Sequence, residues 1–407
     1  MNDDRPGSSA TLIAETERVS APNYSPLPVV IARAEGVWAW DVEGRKYLDC
    51  ISAYSSLNQG HRHPRIVRAL VEQAGQLTLT SRAVHNDRMG PFLAKLCELA
   101  GFEMALPMNT GAEAVETAIK LARKWAYRVK RVPQDRAEIV ACRDNFHGRT
   151  TTIVGFSSEP QYREDFGPYS AGFRLVDFGD IEQLRAALSS NTAAFLVEPI
   201  QAEAGIIMPP DGYLAAARAL CRERNVLFVL DEIQTGLGRT GKLFAHEHEP
   251  GAIPDLLILG KALGGGVYPV SAVLASRAIM TLLKPGDHGS TFGGNPLASA
   301  VGAAALDVLV EERLTERAAE LGAHLRAALA TLRSDKIVEI RGRGLLIGIE
   351  IAAKSGTARK YCERLLERGV LAKDTHAQVI RLAPPLIIER AELDWLVTQL
   401  RDVLLSY

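Results

Sequence analysis

The sequence lacks paired cysteines, long apolar runs and any excess of charge of one sign. Its five cysteines, Cys50, Cys97, Cys142, Cys221 and Cys362, are odd in number, widely spread and free of any C-x-x-C spacing. That argues against a secreted disulfide scaffold and suits a reducing cytoplasm. No apolar run approaches the about 18 residues that a membrane span needs. The opening MNDDRPGSS is acidic and polar, unlike a signal or transit peptide. Net charge is −1, and no basic run or aromatic-interleaved patch is present, so nucleic acid is not an expected partner. What remains is a chain of 407 residues, 47% hydrophobic and 23% charged, the balance of a soluble globular protein. It is long enough for two domains, or for one large and one small.

The most informative stretch reads VLFVLDEIQTGLGRTG and, after a polar connection, PDLLILGKALGGG. Its two apolar runs, Val226 to Leu230 and Leu256 to Leu259, have the length and composition of buried parallel strands. One delivers Asp231 at its end and the other Lys261. Ligands of open α/β sheets sit at the carboxyl ends of the strands, so both side chains would enter one crevice. An Asp and a Lys so placed suit an aldehyde cofactor: the amine forms a Schiff base and the carboxylate holds a ring nitrogen protonated. The GLGRTG segment matches a dinucleotide-binding glycine pattern only literally. The segment DEIQT separates it from the strand and no helix-like segment follows, so it reads as a glycine-rich loop.

Elsewhere the chain alternates strand and helix from about residue 105 to 275, which predicts a doubly wound, mostly parallel sheet. Thr110 and Glu113 form a T-x-x-E capping box, leaving the N–H groups of Gly111 and Ala112 as a phosphate seat. A strand from Ile139 to Cys142 leads to RDNFHGRT, where Phe146 could stack on a ring and Arg149 hold a carboxylate, with His147 between them. Another strand, Ala194 to Val197, ends in Glu198 and leads to Glu203. Ser290 and Thr291 lie in a loop of glycines and small hydroxyls. Arg381 sits in apolar VIRLAPPL, where a guanidinium is costly unless it is paired. Tyr24 and Tyr54 fall in loops on either side of an N-terminal hairpin. The first 20 or so residues have no core-forming periodicity and read as a loose end or an arm on a partner subunit. Pro296 to about Arg333 reads as one long helical stretch. His61, His63, His246 and His248 lack metal-ligand spacing, the last two reading as surface residues, so no metal is expected.

The segments NTGAEAVETAIKLAR, NFHGRT, VEPIQAEAG, LDEIQTGLGRTG, LGKALGGG, GSTFGGNP and IRLAPP, in this order and spacing, resemble the class III (ω-amino acid) aminotransferases of fold type I across nearly the whole chain. Within that family NYSPLPVV, SAYSSLNQGH, LTLTSRA, LPMNTG, YPVSAV and VLAKDTH look like the branch acting on ornithine. The resemblance implies an α/β fold: a large domain (65–312) with a mostly parallel sheet that binds pyridoxal phosphate, and a smaller α+β domain (313–407) joined by residues 1–64. It implies Lys261 as the Schiff-base lysine and proton carrier, Asp231 on the pyridinium nitrogen, and Phe146 on the ring. Gln234 would lie near the phenolic oxygen, His147 and Glu198 beside the cofactor, and Gly111 and Ala112 on the phosphate. Ser290 and Thr291 would reach the phosphate from the other subunit of a homodimer, with a higher oligomer as the alternative.

For the substrates, L-ornithine and 2-oxoglutarate, the resemblance implies two arginines and a switch. Arg149 with Tyr24 would hold the α-carboxylate end of ornithine, leaving its δ-amine at the cofactor. Arg381 would hold the α-carboxylate of 2-oxoglutarate, with Glu203 pairing it while ornithine is bound. Tyr54 would line the pocket. QAEAG stands where the family more often has QGEAG, so Ala202 bears on the backbone beside that switch. The nearest alternative is an ω-aminotransferase using N-acetylornithine or 4-aminobutyrate. An aminomutase or decarboxylase on the same scaffold, a nicotinamide dehydrogenase resting on GLGRTG alone, and a non-catalytic binding protein are the remaining readings.

Overall fold

Strands β1 (Ile31–Glu35), β2 (Trp38–Asp41) and β3 (Lys46–Asp49) form an antiparallel meander. The β2–β3 turn is tied by Asp41, which accepts from the Arg45 N–H at 2.7 Å and from the Tyr47 hydroxyl at 2.7 Å. The computed structural model describes residues 7–405.

The central sheet holds β4 (Met104–Met108), β5 (Glu138–Cys142), β6 (Phe173–Val176), β7 (Thr192–Val197), β8 (Leu227–Asp231), β9 (Leu256–Leu259) and β10 (Ser271–Ala275). Their spatial order is β4-β10-β9-β8-β7-β5-β6. Only β10 runs antiparallel to its neighbours. Every residue of β7, β8, β9 and β10 is buried, because helices cover both faces of the sheet. This is the doubly wound, mostly parallel architecture that the β-α-β alternation predicts. Beyond it, β11 (Ile337–Arg343), β12 (Leu346–Ile351), β14 (Lys373–Thr375) and β15 (Val379–Leu382) make an antiparallel sheet. The two-residue β13 (Val370–Leu371) leaves that stretch to pair in parallel with β3.

Two expectations are corrected, and of the two readings of the N-terminus the loose end is ruled out. Within the first 20 residues, Ser9–Val19 is a helix, capped by the Ser8 hydroxyl and tied through Ser9 to the Glu43 carboxylate at 2.7 Å. It buries no side chain, which is why its sequence carries no core periodicity; residues 1–6 lie outside the described structure. The stretch from Pro296 is two helices, Pro296–Glu311 and Leu314–Leu329, broken where Arg313 takes φ 53°. His246 is buried rather than on the surface, because the buried Glu232 carboxylate binds its ring and backbone N–H. His248 is partly buried, its ring against Thr240. The cysteines sit as packing residues, four being buried and Cys97 partly so.

The GLGRTG loop proves to be a packing hub. Arg239 is fully buried, and its guanidinium donates to the carbonyls of Leu345 (3.0 Å) and Pro384 (2.6 Å) and to Asn58 Oδ1 (2.6 and 3.2 Å). One side chain thus ties the N-terminal segment and the C-terminal strands to the loop after β8. The backbone approach there is equally tight. Gly344 has φ 54°, and a Cβ on it would stand 2.4 Å from the Thr240 carbonyl carbon. Replacing Arg239→Met leaves these buried acceptors unpaired and lowers folding stability by about 3 kcal/mol. Urea unfolding midpoints measure this, and a loss under about 1 kcal/mol would contradict the hub.

Candidate active site

The site begins at the ends of two paired strands. β8 and β9 are parallel neighbours with Asp231 opposite Ile258, so Asp231 and Lys261, just beyond β9, reach the same crevice. Lys261 itself takes φ 45°, a left-handed conformation that costs a side-chain-bearing residue energy and persists where the surroundings enforce it. The crevice offers about 620 Å³ of empty space, part of it open to solvent, and Gly111, Phe146, His147, Glu198, Gln234 and Lys261 are among its walls. Ala112 and Asp231 line it too. Eight residues expected at a cofactor therefore converge.

Asp231 is buried and accepts from His147 Nδ1 at 2.7 Å and from the Ile233 N–H at 3.0 Å. Burial works against a charge on His147, but the Asp231 hydrogen bond and charge outweigh it and raise the imidazole above its ordinary value. Burial pulls the Lys261 amine down to about 8, against the opposing pull of Glu203 and Asp231. Burial likewise pushes Glu198 up to about 8, and its carboxylate accepts the Phe146 N–H at 3.0 Å. A lysine and an acid that change protonation near neutral pH face one cavity.

The helix Gly111–Trp125 points its N-terminus into this cavity, and both halves of the capping box form. Glu113 accepts from the N–H groups of Asn109 and Thr110, and Thr110 accepts from that of Glu113. The N–H groups of Gly111 and Ala112 are left without partners among the described residues, at the positive end of the helix dipole.

Arg381, on β15, is buried and donates to Glu203 Oε1 at 2.7 Å and to Gln234 Oε1 at 3.5 Å. Its Nε and Nη2 have no partner among the described residues, so the guanidinium holds two spare buried donors. Burial would raise the Glu203 carboxyl, but the Arg381 charge and hydrogen bond prevail and hold it below its ordinary value. The Thr375 hydroxyl also bonds the Glu203 carbonyl, fixing the backbone beside the pair. The Tyr54 ring covers the other side, 4.7 Å from the Arg381 guanidinium.

Tyr54 is held by an uncommon backbone. Ser52, Ala53, Tyr54 and Ser55 have φ values of 48°, 44°, 62° and 70°, one left-handed turn made without glycine. Such residues cost roughly 1–2 kcal/mol each. Asp49 pins the turn by accepting from the N–H groups of Ile51 (2.8 Å) and Ser52 (3.0 Å), while His61 Nε2 bonds its other oxygen at 2.8 Å.

Arg149 lies at the exposed mouth, 3.7 Å from the Tyr162 ring centroid and 5.7 Å from that of Phe146. It has no ion pair among the described residues. Tyr24 is exposed, and it bears electrostatically on the phenols of both Tyr54 and Tyr162. Ser290 and Thr291 do not line the cavity of their own chain; the Ser290 hydroxyl accepts instead from Asn109 Nδ2 at 3.0 Å.

The model of the class III aminotransferase family matches residues 19–404. The chain belongs to that family. It is a pyridoxal-phosphate-dependent aminotransferase of fold type I. It is 56% identical to the ornithine aminotransferase of Brevibacillus brevis over 393 residues, 97% of this chain and 98% of the relative. The crystal structure of ornithine aminotransferase from Toxoplasma gondii superposes with a TM-score of 0.97 at 45% identity, covering 99% of this chain and 96% of the other. An acetylornithine aminotransferase from Elizabethkingia anophelis follows at 0.89 and 48%, covering 99% and 100%. Two residues in contact with these side chains went unmarked in the sequence: Tyr162, in a one-turn helix with no pattern to mark it, and Thr375, hidden inside VLAKDTH.

Two outcomes follow from this geometry. Ala53→Gly removes left-handed strain and stabilises the fold by about 1 kcal/mol, read from urea midpoints; a loss of stability would show the turn to be unstrained. Glu198 has a folded value raised to about 8, so its contribution is complete below the unfolded carboxyl range and declines as pH rises through about 8. Glu198→Gln therefore flattens the fall in stability between about pH 4.5 and 8. An unaltered profile across that window would assign the cost to another group.

Proposed function

We propose that this enzyme transfers the δ-amino group of L-ornithine to 2-oxoglutarate, giving glutamate and glutamate 5-semialdehyde, which cyclises to pyrroline-5-carboxylate. The observation that carries the reading is the asymmetry of its two arginines. Arg149 stands open at the mouth, whereas Arg381 is buried and covered by Glu203. Relatives of nearly equal length that share 55–57% of their residues are ornithine aminotransferases, which supports ornithine over N-acetylornithine or 4-aminobutyrate.

The residues present fit pyridoxal phosphate. The unpartnered N–H groups of Gly111 and Ala112 would seat its phosphate, with Ser290 and Thr291 of the partner subunit completing that seat in a homodimer. Asp231, steadied by His147, would hold the pyridinium nitrogen protonated, Phe146 would cover one ring face, and Glu198 and Gln234 would border the ring. When bound, the cofactor supplies an electron sink for the carbanion formed at the amine-bearing carbon.

The protein's own part is binding, orientation and proton movement. Arg149, with Tyr24, holds the α-carboxylate of ornithine at the mouth, which leaves the δ-amine at Lys261. Lys261, its amine lowered to about 8, carries the proton to and from the reacting carbon. Glu203 neutralises Arg381 while ornithine is bound, so an α-amino acid finds no carboxylate site at that end. When Glu203 swings away, Nη1 joins the spare Nε and Nη2 to bind the α-carboxylate of 2-oxoglutarate. Tyr54 shields this exchange from water. The cytoplasm is the compartment that suits the unpaired cysteines.

The test is the visible spectrum of the holoenzyme. L-Ornithine alone removes the cofactor's visible band in a single turnover, and 2-oxoglutarate restores it. Bleaching by N-acetylornithine or 4-aminobutyrate but not by ornithine would overturn the substrate and leave the fold. Lys261→Ala lowers turnover by about 10³-fold or more while leaving the fold intact. Glu203→Ala shifts the ratio of glutamate to ornithine half-reaction rates about tenfold towards glutamate, because Arg381 is then permanently open.

A further inference from the structure

We propose that Tyr162 is the positioning residue for Arg149, and that its ring sets the preference for amines bearing a distal carboxylate. The inference rests on the reading of Arg149 as the carboxylate site.

An arginine that recognises a carboxylate must be oriented before the ligand arrives, since its side chain otherwise loses rotamer freedom on binding. Arg381 has Glu203 and Gln234 for this task. Arg149 has no carboxylate partner among the described residues. What it has is an aromatic seat. Its guanidinium carbon lies 3.7 Å from the centroid of the Tyr162 ring, within the range of a cation–π contact. Stacking uses the face of the guanidinium and leaves its edge, where the N–H donors lie, free for a carboxylate.

The seat is itself anchored. Tyr162 sits in the turn Pro160–Arg163, capped by the Glu159 carboxylate on the Gln161 N–H. The Tyr169 hydroxyl bonds the Arg163 carbonyl and closes the loop behind it. Tyr162 also meets Phe146 edge to face, with ring centroids 6.2 Å apart and planes at 79°. A single ring thus spans the residue proposed to cover the cofactor and the residue proposed to hold the substrate, which fixes the distance between them. Burial raises the Tyr162 phenol, with Arg149 opposing and Glu203 and Tyr24 within electrostatic reach.

The discriminating experiment compares two donors in single turnover, without any oxo acid. L-Ornithine carries the carboxylate, and 1,4-diaminobutane is the same chain without it. In Tyr162→Leu the ornithine half-reaction efficiency falls about tenfold while that of 1,4-diaminobutane stays within about twofold, so the preference for the carboxylate collapses. Tyr162→Phe keeps the ring and retains the preference. Equal losses on both donors, or an unchanged ratio in Tyr162→Leu, would overturn the positioning role. If the wild type itself turns over ornithine no better than 1,4-diaminobutane, the Arg149 reading falls and takes this one with it. A wild-type preference lost in Arg149→Leu but kept in Tyr162→Leu would spare Arg149 and reject Tyr162 alone.

Discussion

The parallel pairing of β8 with β9 is the constraint on which the site depends. It sets Asp231 against Ile258 and brings Lys261 into the same crevice two residues beyond the end of β9. A slip of one residue would turn the side chains of either strand to the opposite face and part the two groups. Both strands are buried along their whole length, so the hydrophobic effect holds the register and the chemistry inherits it. The strained φ of Lys261 is the local cost of that placement.

A division of labour follows between buried and exposed cations. Lys261 and Arg381 are enclosed with acids beside them, Asp231 and Glu203 respectively, and their behaviour is electrostatic. Arg149 is exposed and is steadied by stacking. A buried guanidinium with two spare donors strongly favours a carboxylate, and an internal one already pairs with it. Glu203 is that carboxylate, and the hydroxyl of Thr375 holds its backbone. The left-handed turn bearing Tyr54 then roofs the pair, at a strain that a glycine-free sequence accepts only where the surrounding contacts enforce it.

Much of this was legible in the sequence, for identifiable reasons. Continuous apolar runs marked β7, β8 and β9 because both of their faces are buried. The Thr110–Glu113 box announced a helix start because its hydrogen bonds are local. Long-range pairings were less legible. His246 looked like a surface residue because its partner, Glu232, is 14 positions away. The role of GLGRTG as a hub could not be read, since Arg239 meets Asn58, Leu345 and Pro384 only after folding. Ser9–Val19 left no periodic trace because it buries nothing. Tyr162 was silent because a tyrosine in a short turn has no spacing to betray its neighbour.

The central proposal is regiochemical: with Arg149 holding its carboxylate and Glu203 closing Arg381, ornithine presents its δ-amine, not its α-amine. Nitrogen-15 labelling tests it most directly. With [δ-15N]ornithine and unlabelled 2-oxoglutarate, the label appears in glutamate; with [α-15N]ornithine, it stays in the cyclised product. Label from the α position in glutamate would contradict the account, because it would mean that Arg381 and not Arg149 receives the ornithine carboxylate.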